Sequence, residues 1–195
     1  VYDAFEHLGL AYLTAALRRN GFSVRIIDAA LLGLSAVELY RELERYRIGV
    51  LGVTLISHGY LVSTRFLQYY REQHPETWVV GGGHFATFAA EKIFEHTRVF
   101  DALVLGEGEH SFTQYCRNVL RGEQCGLYDV ATRGRRTVRS HHRILDIDAL
   151  AFPARDNLRL AMSRGGTPGL TASRGCYGCC TFCTVPSFYT AKNGA

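Results

Sequence analysis

The stretch "IGVLGVTLI" (Ile48 to Ile56) is apolar, rich in β-branched residues, and shows no alternation of apolar with polar positions. A strand with one face in water alternates with period two, so this run suits a strand buried on both faces. The residues on either side extend that reading. Ser35 and Glu38 have capping-box spacing, and Leu34 and Leu39 stand where a hydrophobic staple would, which predicts a helix from about 36 to 46. Before it, "SVRIID" (Ser23 to Asp28) reads as a short strand. "LGLAYLTAALRRNG" (Leu8 to Gly21) reads as a helix with Leu10, Leu13 and Leu17 on one face and Asn20-Gly21 as its stop. Downstream the pattern predicts a helix over about 60–73, a strand in "TWVVGGG", a helix over about 84–96 and a strand in "DALVLGEGE". A helix over about 110–121 follows, with Phe112, Cys116 and Val119 on one face.

Regular alternation of strand and helix with short connections implies an α/β fold, a parallel sheet covered by helices on both sides. Four strands are visible where a flavodoxin-like doubly wound sheet has five, and the chain opens on a helix. The missing first strand, central in that order, is expected upstream of Val1. The other end also reads as cut, because the chain stops at Ala195, twelve residues after Cys183. After Gly126 the pattern changes. "LYDVATRGRRTV" (Leu127 to Val138) reads as a small hairpin turning at Arg133-Gly134. "SHHRILDIDALAFPARDNL" (Ser140 to Leu158) reads as an irregular connector. The five arginines from Arg133 to Arg143 read as a solvated run rather than a nucleic-acid contact.

Composition narrows the function classes. At 195 residues, 47% hydrophobic and 21% charged, the chain suits one ordinary globular domain and part of another. No stretch approaches the ~18 consecutive apolar residues of a membrane span, and the first residues lack the pattern of a signal peptide. A cytoplasmic chain with reduced thiols is therefore expected, and clustered cysteines read as metal or redox chemistry before disulfides. A net charge of +4 is too small to argue for nucleic acid.

Four of the six cysteines lie in "SRGCYGCCTFCTVP" (Ser173 to Pro186). Two abutting C-x2-C units would suggest a four-thiolate zinc site, but no residue separates the pairs to let them converge tetrahedrally. The C-x2-C-x2-C spacing of ferredoxins is absent. Cys176, Cys180 and Cys183 remain, spaced C-x3-C-x2-C. Three thiolates on one loop can hold three irons of a four-iron cluster and leave the fourth open to a chelating ligand. With Phe182 just before the last cysteine and Ser173-Arg174-Gly175 ahead of the first, the loop resembles the radical S-adenosylmethionine superfamily. That resemblance implies a [4Fe-4S] cluster on Cys176, Cys180 and Cys183, S-adenosylmethionine near Phe182, and Cys179 as a bystander. It also implies an external electron donor of flavodoxin or ferredoxin type and a small-molecule or peptide substrate. In that family the loop follows the first strand of a partial (β/α) barrel, here "GLTAS" (Gly169 to Ser173), and the rest of the barrel is expected after Cys183.

"HLGLAYLTAALRRNGFSVRIID", "VVGGGHFATFAAEKIFEH", "DALVLGEGEHSF" and "LAFPARDNL" occur in the order seen in the cobalamin-binding-type domain that precedes many radical S-adenosylmethionine barrels. The chain resembles that arrangement over roughly residues 7–157. Three segments are expected: 1–125 as the cobalamin-binding-type domain, 126–164 as hairpin and connector, and 165–195 as the start of the radical domain. Ligands of doubly wound sheets bind outside the carboxyl ends of the strands. That edge would carry Thr54 and Ser57, then Gly81, Gly82 and Gly83, then Gly106 and Gly108. Thr54 and Ser57 would hydrogen-bond the cobalamin, and the glycines would let it approach. Three consecutive glycines at 81–83 exceed what a turn needs, whereas Gly106 and Gly108 serve a tight turn equally well. The histidine-ligating motif D-x-H-x-x-G is not met by Asp3, His7 and Gly9, so His7 is not expected to bind cobalt, and His58 and His84 rank second.

The resemblance implies reductive cleavage of S-adenosylmethionine to a 5′-deoxyadenosyl radical, with C-methylation as the first expectation. Two alternatives stay open: a radical enzyme whose first domain is a cofactor-free scaffold, and a non-enzymatic cobalamin sensor with a zinc-stabilised tail. These 195 residues alone are not expected to turn over. Cys125 reads as an incidental thiol.

Overall fold

The computed structural model describes residues 4–123, 128–134 and 146–189. In chain order these form α1 (Leu8–Arg19), α2 (Ala29–Leu32), α3 (Ala36–Leu43), β1 (Val50–Thr54), α4 (Tyr60–Gln73) and β2 (Trp78–Gly82). There follow α5 (His84–His96), β3 (Ala102–Val104), α6 (Gly108–Leu120), β4 (Val130–Thr132), α7 (Leu158–Ser163) and α8 (Val185–Tyr189). Two compact units result: Val1–Arg47 with Asp146–Ser173, and Ile48–Leu145 with Arg174–Ala195. The cysteine loop, from Arg174 onward, groups with the sheet, and Asp146–Ser173 groups with the first helices.

The sheet unit has strand order β1-β2-β3-β4. β1, β2 and β3 are parallel, with Val50 opposite Trp78 and Val80 opposite Ala102. β4 runs antiparallel to β3, Val130 opposite Val104, so the expected hairpin contributes its first arm as an edge strand. Its second arm lies outside the described residues, as does Cys125. The alternating side-chain direction of the strands builds two cores. Val79, Leu103 and Ala131 pack with Leu67 of α4 and Ala86 and Ile93 of α5. Val80, Ala102, Val104 and Val130 pack with Tyr115, Phe112 and Val119 of α6. Of the predicted apolar face of α6, Cys116 is buried and Phe112 and Val119 are half-buried against the sheet, while Tyr115, outside that predicted set, is buried as well. At the amino ends of β2 and β3, Asp101 accepts a fork from Arg71 at 2.5 and 2.9 Å and the Val79 amide at 2.8 Å.

The other unit is helical. His7 caps α1, its Nδ1 accepting from the Leu10 amide at 3.3 Å. α1 buries Ala11, Tyr12, Thr14, Ala15 and Leu17, so the buried stripe includes only one of the three predicted leucines. The capping box of α3 forms as predicted: Glu38 N donates to Ser35 Oγ at 3.3 Å, and Ser35 N to Glu38 Oε2 at 2.8 Å. The connector is tied down by charge. Arg18 forks Asp156 at 2.8 and 2.6 Å, and Arg155 donates to Glu6 at 2.8 Å and to the Gly169 carbonyl at 2.7 Å.

Two predicted strands do not form. Ser23–Ile27 makes no ladder, the Val24 carbonyl being taken by Arg18 at 2.8 Å, and Asp28 caps α2 by accepting from Leu31 N. Gly169–Ser173 is likewise outside any strand. A strand exists only where its amides and carbonyls find a partner strand, and apolar composition by itself does not supply one.

Candidate functional site at the carboxyl edge of the sheet

Three strand-to-helix corners make the carboxyl edge. After β1 the chain passes through Leu55, which is buried, to the exposed Ile56, Ser57 and His58. After β2 it turns at Gly83, and after β3 at Gly106 and Glu107. Thr54 is half-buried at the end of β1.

The three consecutive glycines separate into different roles. Gly81 is buried, and a Cβ there would lie 2.7 Å from Leu103 Cδ2 and 2.8 Å from Leu55 Cδ1. Packing inside the sheet therefore accounts for Gly81. Gly82 meets only ordinary contacts, the nearest 3.8 Å away. Gly83 has φ 93°, and a Cβ there would lie 3.1 Å from Thr54 Oγ1. Thr87, which sequence reasoning did not single out, joins two corners: its hydroxyl donates to the Gly83 carbonyl at 2.8 Å and accepts from the Gly106 amide at 2.9 Å. A lone threonine in a helix carries no signal that would have revealed this. Gly108 opens α6.

The cysteine loop belongs to this same unit. Gly175, at φ 87°, supplies the left-handed turn into Cys176. Cys176, Cys179 and Cys180 are exposed and Cys183 is half-buried. Gly178 sits between two sulfurs, its Cβ position 3.4 Å from Cys176 Sγ and 3.8 Å from Cys180 Sγ. Its amide donates to Cys176 Sγ at 3.3 Å. Cys183 N donates to the Cys180 carbonyl at 3.1 Å, closing a turn between those two. Among the described residues no three His, Cys, Asp or Glu side chains gather closely enough to hold a single metal ion. The donor set nevertheless fits a multi-iron cluster: three accessible soft thiols on one short loop, one already receiving an amide hydrogen bond of the kind that stabilises bound sulfur. Phe182 and Tyr177 are exposed.

Two contacts hold the loop to the edge. Arg174 donates to Glu107 Oε1 at 2.8 Å and to Glu109 Oε1 at 2.5 Å. The rings of Phe188 in α8 and His84 stack at 4.0 Å and 13°. Burial pushes the His84 pKa down, which disfavours protonation of the stacked ring. Burial alone would lower the Arg174 pKa, but its hydrogen bonds to Glu109 and Glu107 outweigh that and raise it. His58, the other second-rank histidine, is exposed. An open depression of about 990 Å³, lined by Phe94, His96, Arg98 and Arg133 among others, lies instead at the amino end of β3 and contains none of the candidate residues.

A parallel-dominated sheet with a glycine-bearing carboxyl edge defines a Rossmann-like cofactor-binding class. Within that class the chain belongs to the B12 binding domain family, whose family model matches residues 1–115. The cysteine loop lies beyond that match. The chain is 26% identical over 184 residues to an uncharacterized methyltransferase of Pyrococcus horikoshii, covering 91% of this chain and 40% of the relative. It is 28% identical over 203 residues to the hopanoid C-3 methylase of Methylococcus capsulatus, covering 97% of this chain and 38% of that one. The chain thus spans about two fifths of these relatives' length. Its fold resembles that of OxsB, a cobalamin-dependent S-adenosylmethionine radical enzyme solved with aqua-cobalamin bound. That match has a TM-score of 0.78 at 19% identity and covers 91% of this chain and 25% of OxsB. Among the described residues no helix is long and apolar enough to cross a membrane.

Proposed function

We propose that this chain carries the cofactor-binding residues of a cobalamin-dependent radical S-adenosylmethionine enzyme that methylates an unactivated carbon. The observation that carries the reading is the C-x3-C-x2-C thiol set on a loop fastened to the carboxyl edge of a B12-binding-type sheet. When bound, the four-iron cluster would supply the electron for reductive cleavage of S-adenosylmethionine, and cobalamin the methyl group.

The chain's own residues divide the remaining work. Cys176, Cys180 and Cys183 hold iron, and the Gly178 amide donates a hydrogen bond to the Cys176 sulfur. Cys179 stands aside. Phe182 offers an exposed ring beside Cys183 for S-adenosylmethionine. On the sheet, the Thr54 and Ser57 hydroxyls bind polar groups of cobalamin, and Gly82, Gly83, Gly106 and Gly108 leave its approach unobstructed. Gly81 serves the core beneath them. The Nδ1 of His7 caps α1 by accepting from the Leu10 amide. Electrons arrive from a flavodoxin- or ferredoxin-type donor, and the substrate is a small molecule or peptide.

The test is the iron, sulfide and cobalt content of the complete gene product, purified without oxygen and reconstituted, followed by assay for 5′-deoxyadenosine. About four irons with stoichiometric cobalt and reductant-dependent 5′-deoxyadenosine are expected. Four irons without cobalt would remove cobalamin and methyl transfer from the proposal and leave the sheet a scaffold. Zinc in place of iron would overturn it.

A further inference from the structure

We infer that Arg174 is a positioning residue that locks the cysteine loop to the cobalamin-type edge through Glu107 and Glu109. The inference rests on the function proposed above for what the loop and the edge hold; the clamp itself is a matter of geometry.

Glu107 and Glu109 flank the start of α6, directly after β3, so they are rigidly carried by the sheet. Arg174 immediately precedes Gly175, whose left-handed backbone turns the chain into Cys176. One guanidinium therefore connects the sheet corner to the first thiol with a single intervening residue. The three side chains are 12%, 9% and 10% exposed, so the ion pairs lie largely out of water. The far end of the loop segment is held to the same edge by the stack of Phe188 on His84. An arginine fork fixes direction as well as distance, because each N–H must point at its own oxygen. Lysine, a point charge on a flexible stem, satisfies the charge and not the orientation.

Such a connection is more than a stability device. Edge and loop are coupled through the clamp, so ordering one orders the other, and this coupling is reciprocal. Removing one partner leaves buried charge uncompensated, so the loop moves away from the edge rather than remaining docked and unpaired.

The experiment uses the complete gene product with Arg174→Lys, and with Glu107→Gln and Glu109→Gln together. Hydrogen exchange of the 175–183 backbone is measured first, in the metal-free protein. The double glutamine variant is expected to exchange at least about tenfold faster there, while Val79, Val80, Ala102 and Leu103 in the sheet keep their protection. Trypsin is expected to cut after Arg174 faster in the same variant, because the guanidinium it recognises is no longer sequestered. In the reconstituted protein, iron content is expected to hold while the electron paramagnetic resonance spectrum of the reduced cluster with S-adenosylmethionine broadens. Arg174→Lys is expected to restore part of the exchange protection and little of the spectral sharpness.

Unchanged exchange and tryptic rates in the double variant would overturn the clamp. So would loss of protection in the sheet strands together with the loop, which would make the residues merely structural. A wild-type protein that binds no iron, yet whose loop is released by the glutamines, would sink the proposed function and leave the clamp standing.

Discussion

Cys116 and Cys176 are the same side chain in opposite surroundings. Cys116 lies in α6 at 4% exposure, where burial pushes its pKa up to about 12. Cys176 stands in water on a turn, its sulfur already receiving the Gly178 amide. The contrast extends to the regions around them. Beneath the carboxyl edge the sheet is closely packed, to the point that a methyl group on Gly81 would press on Leu103 and Leu55, whereas above the edge the loop presents thiols and aromatic rings to solvent. The difference shows how one chain separates reactive from inert sulfur: by placing a dry, filled core under a wet edge.

The largest effect would come from removing the loop thiols. Replacing Cys176, Cys180 or Cys183 by Ala is expected to drop bound iron from about four per chain to less than one, while Cys179→Ser keeps the wild-type content. Iron and sulfide assay decides it, and equal loss in the Cys179 variant would break the assignment of three ligands.

Alkylation sharpens the comparison directly. In metal-free protein at pH 8, the loop thiols are expected to react with iodoacetamide at least about 100-fold faster than Cys116, since only thiolate reacts and Cys116 is both protonated and enclosed. Peptide mass spectrometry reads the rates, and urea should abolish the difference. A fast Cys116 in native protein would show that α6 is not seated on the sheet.

The boundary between core and edge is set by adjacent glycines. Gly81→Ala is expected to cost about 1–3 kcal/mol, because the methyl group meets Leu103 and Leu55 side chains that are themselves fully enclosed. Gly82→Ala meets no contact tighter than 3.8 Å and is expected to cost less than about 1 kcal/mol, mostly strand-compatible backbone change. Urea midpoints of the two variants measure the difference. Equal costs would erase the boundary.

The smallest effect concerns the stacked pair. Burial depresses the His84 pKa below its ordinary value, so the undocked ring takes up a proton more readily than the docked one. Stability contributed by the Phe188–His84 stack is therefore present above about pH 6.5 and declines as the pH falls below it. Because His84 keeps part of its surface in water, exchange of the Val185–Tyr189 amides, corrected for intrinsic rates, should rise less than about tenfold from pH 8 to pH 5. Phe188→Leu should remove that dependence.

Much of this was legible in the residues because it is local. The helices over Tyr60–Gln73 and His84–His96 coincide with their predicted spans, the Ser35–Glu38 box forms, Phe112 and Val119 pack against the sheet, and Cys116 is buried. "SVRIID" misled because its β-branched pattern states a preference that needs a neighbour, and Val24 gives its carbonyl to an arginine instead. The run of three glycines is silent in a different way: composition does not distinguish Gly81, pressed against Leu103, from Gly82, which meets only ordinary contacts.

The sequence by itself determined the alternating α/β order, the helix caps and the spacing of three cysteines, since each depends on residues within a few positions of one another. Only the tertiary structure decided that β4 joins the sheet antiparallel, that Thr87 bridges two corners, and that Arg174 reaches Glu107 and Glu109 across 67 and 65 positions of chain. Pairing over such distances follows from how the sheet brings its carboxyl ends together, and no local propensity encodes which distant partner will be there.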